Sequence, residues 1–131
     1  MLRKTIDVET KKNKQVVDIT DAVKEEVSKS NVKAGNCFLF ITHTTAAITC
    51  ADLDPGTDLD MLDFLEKIKP DIKYRHPHNP AHAPDHILSS IIGASVVVPV
   101  EDGRLVLGTW QRIVLVELDG PRTREVILTI Q

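Results

Sequence analysis

Cysteine is nearly absent from the chain: only Cys37 and Cys50 occur, each alone inside an apolar, strand-like segment. Two isolated cysteines make neither a disulfide framework nor a zinc motif, so both read as buried free thiols. An excess of basic charge is also missing, because 16 Lys and Arg stand against 19 Asp and Glu, a formal net charge of -3. Without a dense Lys/Arg face to release phosphate counterions, nucleic acid is excluded as a partner. The one basic run, Lys11, Lys12 and Lys14, lies between two short apolar segments and reads as a solvated hairpin turn. Long hydrophobic runs are lacking too. The longest, Ile91 to Val100, is broken by Gly93, Ser95 and Pro99, and no N-terminal segment has the apolar core of a signal peptide. No membrane partner and a cytoplasmic location are therefore expected.

What is present suits one globular domain over residues 1–131, with 42% hydrophobic and 27% charged residues. A domain of about 150 residues buries roughly two-thirds of the surface its unfolded chain exposes, so no staple is needed. Leu2 to Val8 alternates apolar and polar residues, and Val16 to Ile19 resumes the alternation after the lysine-rich turn, which predicts an antiparallel pair. Thr20 is placed to cap a short helix over Asp21–Ser28. Strands are expected at Asn36–Ile41 and Ala46–Cys50, and a tight hairpin between them would set Cys37 opposite Cys50. A helix with Leu59, Leu62, Leu65 and Ile68 at three-residue spacing follows the cap candidates Asp54 and Thr57 and stops before Pro70. Another is expected over Pro84–Ile92, with Gly93 as its stop and His82 just outside, because Pro84 biases Ala83 away from helical angles. Ser95–Val100 and Leu105–Leu107, joined through Asp102-Gly103, read as a hairpin, and Arg112–Leu118 and Glu125–Ile130 as strands. Strands at both ends with two or three helices inserted between them predict an α+β domain with mostly antiparallel sheets in a sandwich-like arrangement.

Histidine is concentrated. Four of the five, His76, His78, His82 and His86, fall between Tyr74 and His86, together with three prolines. This stretch lacks the apolar period of a helix or strand, and its prolines remove backbone donors, so it is a surface connection. Imidazole is the commonest protein metal ligand and titrates at about pH 6.5. Charged rings crowded together repel, which favours neutral rings on a cation or rings pairing with an anion. A polar loop that happens to be histidine-rich is the plain alternative. The fifth, His43, lies among Thr42, Thr44 and Thr45, hydroxyls suited to a phosphate or a metal-bound water. Gly108-Thr109-Trp110-Gln111 interrupts a strand pattern with the only Trp beside an amide, which suits either a heterocycle pocket or a core or interface anchor.

Three stretches carry a family resemblance. His43-Thr44-Thr45-Ala46-Ala47, a histidine opening a helix that ends in Ile-Gly (His86 to Gly93), and Asp102-Gly103-Arg104-Leu105 running on to Gly108-Thr109-Trp110-Gln111 together resemble the YjbQ-like family, also called secondary thiamine-phosphate synthase enzymes. The resemblance implies a small α+β sandwich-like fold that assembles as a homotrimer, with histidine sites between subunits for a metal or for sulfate or phosphate. It also implies a weak thiamine-phosphate synthase activity, a transferase joining a pyrimidine diphosphate to a thiazole phosphate with loss of pyrophosphate. Carried onto this chain, His43 and His86 match the family's histidine motifs, and Trp110 with Gln111 matches its last motif. Ala51-Asp52 stands where the family often has Asn-Glu, which makes Asp52 the candidate acidic partner. His82 stands where the family has Asn or Asp.

The resulting expectation has His43, His86 and Asp52 as catalytic groups, and Thr44, Thr45, Trp110 and Gln111 on a small phosphorylated metabolite. His43, His82 and His86 would be ligands of a divalent metal, zinc among the candidates, since three imidazoles with an open fourth position are a recognised zinc arrangement. Two other functions compete with it: a non-catalytic metal- or anion-binding oligomeric module, and a metal-dependent hydrolase of a small phosphorylated compound with Asp52 as base. The sequence does not rank His76 and His78 against His82 as the third ligand.

Overall fold

A computed structural model describes residues Met1–Gln131. Eight strands, β1 (Leu2–Glu9), β2 (Gln15–Asp18), β3 (Gly35–Ile41), β4 (Ala46–Ala51), β5 (Ser95–Glu101), β6 (Arg104–Leu105), β7 (Arg112–Glu117) and β8 (Thr123–Ile130), form two antiparallel sheets, in the orders β1-β8-β3-β5-β6 and β2-β7-β4. Three helices, α1 (Thr20–Ser30), α2 (Thr57–Lys67) and α3 (Ala83–Ile92), complete the α+β domain.

The alternation of each strand decides which side chains the sheets share. Leu39 and Ile41 on β3, Val98 on β5 and Leu128 on β8 meet Ile48 on β4 and Ile113 and Leu115 on β7, with Val23 and Val27 of α1 at the side, in one buried cluster. The three-stranded sheet is covered on its other face as well. Val114, Val116 and Leu118 pack with Ala47 and with Leu88 of α3, and Met61 and Leu65 of α2 lie against them. Burial on both faces explains why β7 reads as an unbroken apolar run, Ile113 to Val116, where a half-exposed strand would alternate. The Ser89 hydroxyl fixes α3 to this sheet by donating to the Ala46 carbonyl at 2.7 Å.

Both expected N-terminal hairpins are corrected. β1 pairs with β8 and β2 with β7, so the lysine-rich turn carries the chain from one sheet to the other. The Thr42–Thr45 connection does the same between β3 and β4: Cys37 lies opposite Val98 and Ile130, while Cys50 lies opposite Ile113. A period of two fixes which residues face inward but is silent about the neighbouring strand, and at a sandwich corner consecutive strands part company. The β5–β6 hairpin is as expected, with Val100 opposite Leu105. The capping expectation is corrected: Ile19 occupies the position before α1 and makes no side-chain cap, while the Asp18 carboxylate accepts from the Thr20 amide at 3.0 Å and from its hydroxyl at 2.6 Å. Thr20 itself sits within α1 and its hydroxyl accepts from the Ile113 amide at 2.8 Å. Helix α2 covers less than its spacing suggests, since Leu59, Phe64 and Ile68 remain exposed.

Candidate functional site

The end of β7 and the start of β8 each place a charged residue at an inward position, where the strand pattern calls for an apolar one. Glu117 follows Ile113 and Leu115 on the core face and is 0% exposed; Arg124 precedes Val126, Leu128 and Ile130 and is 2% exposed. The two form a bidentate pair: Arg124 Nε donates to Glu117 Oε2 at 2.8 Å and Nη2 to Oε1 at 2.5 Å. Nη2 also donates to the Thr45 carbonyl at 3.2 Å and its hydroxyl at 2.9 Å. Glu117 accepts further from the Thr10 hydroxyl at 2.9 Å and the Asp119 amide at 2.9 Å. Burial alone would raise the Glu117 carboxyl, but the Arg124 guanidinium and these two donors hold it below the usual carboxylate range. Gly120 makes room for this cluster, as a Cβ there would lie 2.8 Å from Glu117 Cγ and 2.9 Å from Thr10 Oγ1.

With Nε and Nη2 committed, the remaining guanidinium nitrogen, Nη1, decides what Arg124 can do. It has no protein partner, and no side-chain nitrogen or oxygen of the chain is both sealed from solvent and unpartnered. Arg124 lines a cavity of about 460 Å³. Nη1 is therefore the edge it offers there, two N–H donors held in place by a buried carboxylate.

His43 stands on the crossover between the sheets and lines the same cavity. Its Nε2 accepts from the Glu125 backbone amide at 2.9 Å. A backbone N–H only donates, so Nε2 carries the ring's lone pair, and the neutral ring has its proton on Nδ1. Burial lowers the His43 pKa below 6.5, the Arg124 charge lowers it further, and protonation would also break the Glu125 bond. Protons consequently prefer the unfolded chain, and His43 subtracts stability as pH falls below about 6.5 but none above it. Long-range ¹H–¹⁵N spectra at pH 7.5 should show His43 as the Nδ1–H tautomer; a ring protonated at Nε2 would contradict this assignment.

The opposite wall comes from the start of α3 and the turn after β7. His82 ends a 3-10 turn, Pro80–His82, just outside α3, and His86 lies in the first turn of α3. Asp85 between them is buried and ties this segment down, accepting from Lys14 Nζ at 2.6 Å while Lys14 also donates to the Leu118 carbonyl. His82 Nδ1 lies 4.0 Å from Asp119 Oδ2, and Arg122 grips Asp119 through its carbonyl at 2.8 Å and its carboxylate at 3.0 Å. Thr42, Thr44 and Thr45 complete the lining, which contains no hydrophobic residue. His76 stands behind His86, the rings stacked 4.7 Å apart, with its Nδ1 3.2 Å from the Asn79 carbonyl oxygen. His78 is exposed and does not line the cavity.

Of the residues expected from sequence, His43, Thr44, Thr45, His82 and His86 come together. Asp52 and Trp110 do not join them: they line a smaller cavity of about 170 Å³ with Asp18, Asp54 and Arg112. Gln111 turns back on its own loop, its Oε1 accepting from the Gly108 amide at 3.0 Å. The lining residues Arg122, Arg124 and Asp119, and Glu117 behind Arg124, were not singled out in the sequence. The signal was available in Glu117 and Arg124, two charges at inward parity on successive strands.

No group of three His, Cys, Asp or Glu side chains has an arrangement that could hold a metal ion. The lone pair of His43 is taken by the Glu125 amide, so a metal on Nδ1 would have to displace a ring proton. The donors that do converge, two guanidinium groups, an imidazole N–H and threonine hydroxyls, suit an anion.

Comparison with known proteins places the chain. The family model described as "UPF0047 protein YjbQ-like" matches residues 4–131. A UPF0047 protein of Archaeoglobus fulgidus is 41% identical over 124 residues, 94% of this chain and 96% of the relative. A YbjQ-like protein of unknown function from Sulfolobus solfataricus P2 superposes with a TM-score of 0.92 at 39% identity, covering 98% of this chain and 95% of that one. A hypothetical protein from Aeropyrum pernix K1 gives 0.93 at 38% identity, covering 100% and 98%. These descriptions overturn the expected thiamine-phosphate synthase activity. Relatives this similar over their full length carry only the family designation UPF0047 or are described as of unknown function, so membership brings a fold and no transferase reaction. The α+β sandwich, the His-Thr-Thr crossover and the full-length match agree on one conclusion: the chain belongs to the YjbQ-like UPF0047 family.

Proposed function

We propose that the His43 cavity binds the phosphate group of a small phosphorylated metabolite. The observation that carries this is Arg124, a residue 2% exposed whose Nη1 has no partner in the chain and which lines a cavity without a hydrophobic residue. Donors held in place by a buried carboxylate favour an anion more strongly than mobile surface lysines, because little side-chain ordering remains to be done on binding. The Nδ1–H of His43 is a donor that does not depend on protonating the ring, and Arg122 and Thr44 line the same cavity. Calorimetric titration with glycerol 3-phosphate against glycerol tests it: the phosphate ester should bind saturably and glycerol should not. Arg122→Ala should weaken the ester about tenfold, the usual worth of one charged hydrogen bond. Equal heats for the two ligands would sink the proposal.

The proposal extends to a cytoplasmic homotrimer. No helix is long and apolar enough to cross a membrane, and an apolar stripe on the outer face of the larger sheet supports self-association. Phe38 and Val97 are cross-strand partners and Phe40 lies two residues on, with Phe40 50% and Val97 52% exposed. Exposed apolar side chains grouped in this way suit burial against further copies of the chain. Sedimentation equilibrium should give three times the chain mass, and a monomer at micromolar concentration would contradict the assembly.

A further inference from the structure

A second cavity, of about 500 Å³, lies between the C-terminal half of α1 and the β5–β6 turn and shares no residue with the His43 cavity. Its apolar wall is Val27, Val32 and Leu105, all packed on the main core. Three cations, Lys24, Lys33 and Arg104, surround that wall. None of the three belongs to any ion pair of the chain. A single carboxylate, Asp102, lines the cavity with them.

The backbone draws these charges together. The Gly103 amide donates to the Lys33 carbonyl at 2.9 Å, clamping the β5–β6 turn onto the loop after α1. The Lys33 side chain folds across that turn: a Cβ on Gly103 would lie 3.7 Å from both its Cδ and its Nζ. In a chain of net charge -3, unpaired cations gathered at one concavity repel one another, and an anionic occupant relieves the repulsion. Val32 and Leu105, which are only half-buried, set a second requirement, because an inorganic ion would leave their exposed surface in contact with water.

We infer that this cavity binds a small organic phosphate, with the phosphate on Lys24, Lys33 and Arg104 and an apolar body on Val32 and Leu105. It differs from the His43 cavity in selecting the body as well as the charge, and it stands independently of the function proposed there. Phenyl phosphate, titrated into ¹⁵N-labelled protein, is the probe. Saturable shifts are expected at the Ser28, Val32 and Gly103 amides, with inorganic phosphate at least about tenfold weaker at the same amides for want of the apolar contact. Lys33→Glu and Arg104→Glu, both at exposed positions, should each weaken phenyl phosphate there by about tenfold or more. Any response of the Glu125 amide at the His43 cavity should be unchanged in both variants. Absence of shifts at the three amides, shifts confined to the His43 cavity, or equal affinity in the charge-reversed variants would overturn the inference.

Discussion

Glu117→Ala is expected to destabilise the domain by about 3–5 kcal/mol, the usual cost of breaking a buried ion pair and stranding one partner. Arg124 would keep its two Thr45 contacts but lose both carboxylate bonds, in a place where it is 2% exposed. Since whole domains are stable by only about 5–15 kcal/mol, the variant should unfold at much lower denaturant than the parent. Urea unfolding measures this directly, and a loss below about 1 kcal/mol would show that the pair is solvated in solution. The pH dependence has a defined sign. Glu117 titrates below its ordinary 4.5 in the folded chain, so its contribution is complete above about pH 4.5. It disappears as pH falls through the lower folded value. Glu117→Ala should lack that acid-dependent component.

The second large effect separates stability from function. Glu117→Leu combined with Arg124→Met replaces the pair by apolar side chains of similar length in the same inward positions. Replacements of this kind are commonly neutral or stabilising by about 1–4 kcal/mol, because two desolvated charges disappear together. The double variant should therefore fold with native-like stability and still lose phosphate affinity by about tenfold to a hundredfold, since the guanidinium donors to the cavity are gone. Retained affinity in a folded double variant would place anion binding on Arg122 and the histidines alone. Unfolding would show that Thr10, Thr45 and Asp119, which hydrogen-bond to the pair, cannot lose their partners.

Much of the fold was legible because its signals are local. The β5–β6 hairpin followed from Asp102-Gly103 between apolar runs. His82 does lie just outside α3, but not for the expected reason: Ala83, which Pro84 was expected to hold away from helical angles, is helical at φ -56°, ψ -43° and opens the helix. The partners of β1 to β4 were not legible. Alternation assigns Cys37, Leu39 and Ile41 to the core whichever strand lies beside them, and the chain changes sheets at Thr42–Thr45. The site divides in the same way. His43, His82 and His86 were found because histidine is rare elsewhere in the chain. Arg124 and Glu117 were missed because each looks like an ordinary charge until strand parity shows both pointing inward. Asp52 and Trp110 were joined to the histidines by motif order, and within one chain the three-stranded sheet edge carries them to a different cavity.

The most direct test of the anion site is a titration of ¹⁵N-labelled protein with inorganic phosphate at pH 7.5, following the Arg124 side-chain Nε–H, the Glu125 amide and the His43 ring nitrogens. The account predicts that all three shift together along one saturable curve, with His43 remaining the Nδ1–H tautomer throughout. Resonances that stay still while phosphate reaches tens of Kd for an ordinary surface site, or shifts that arise only when His43 becomes protonated at lower pH, would contradict it.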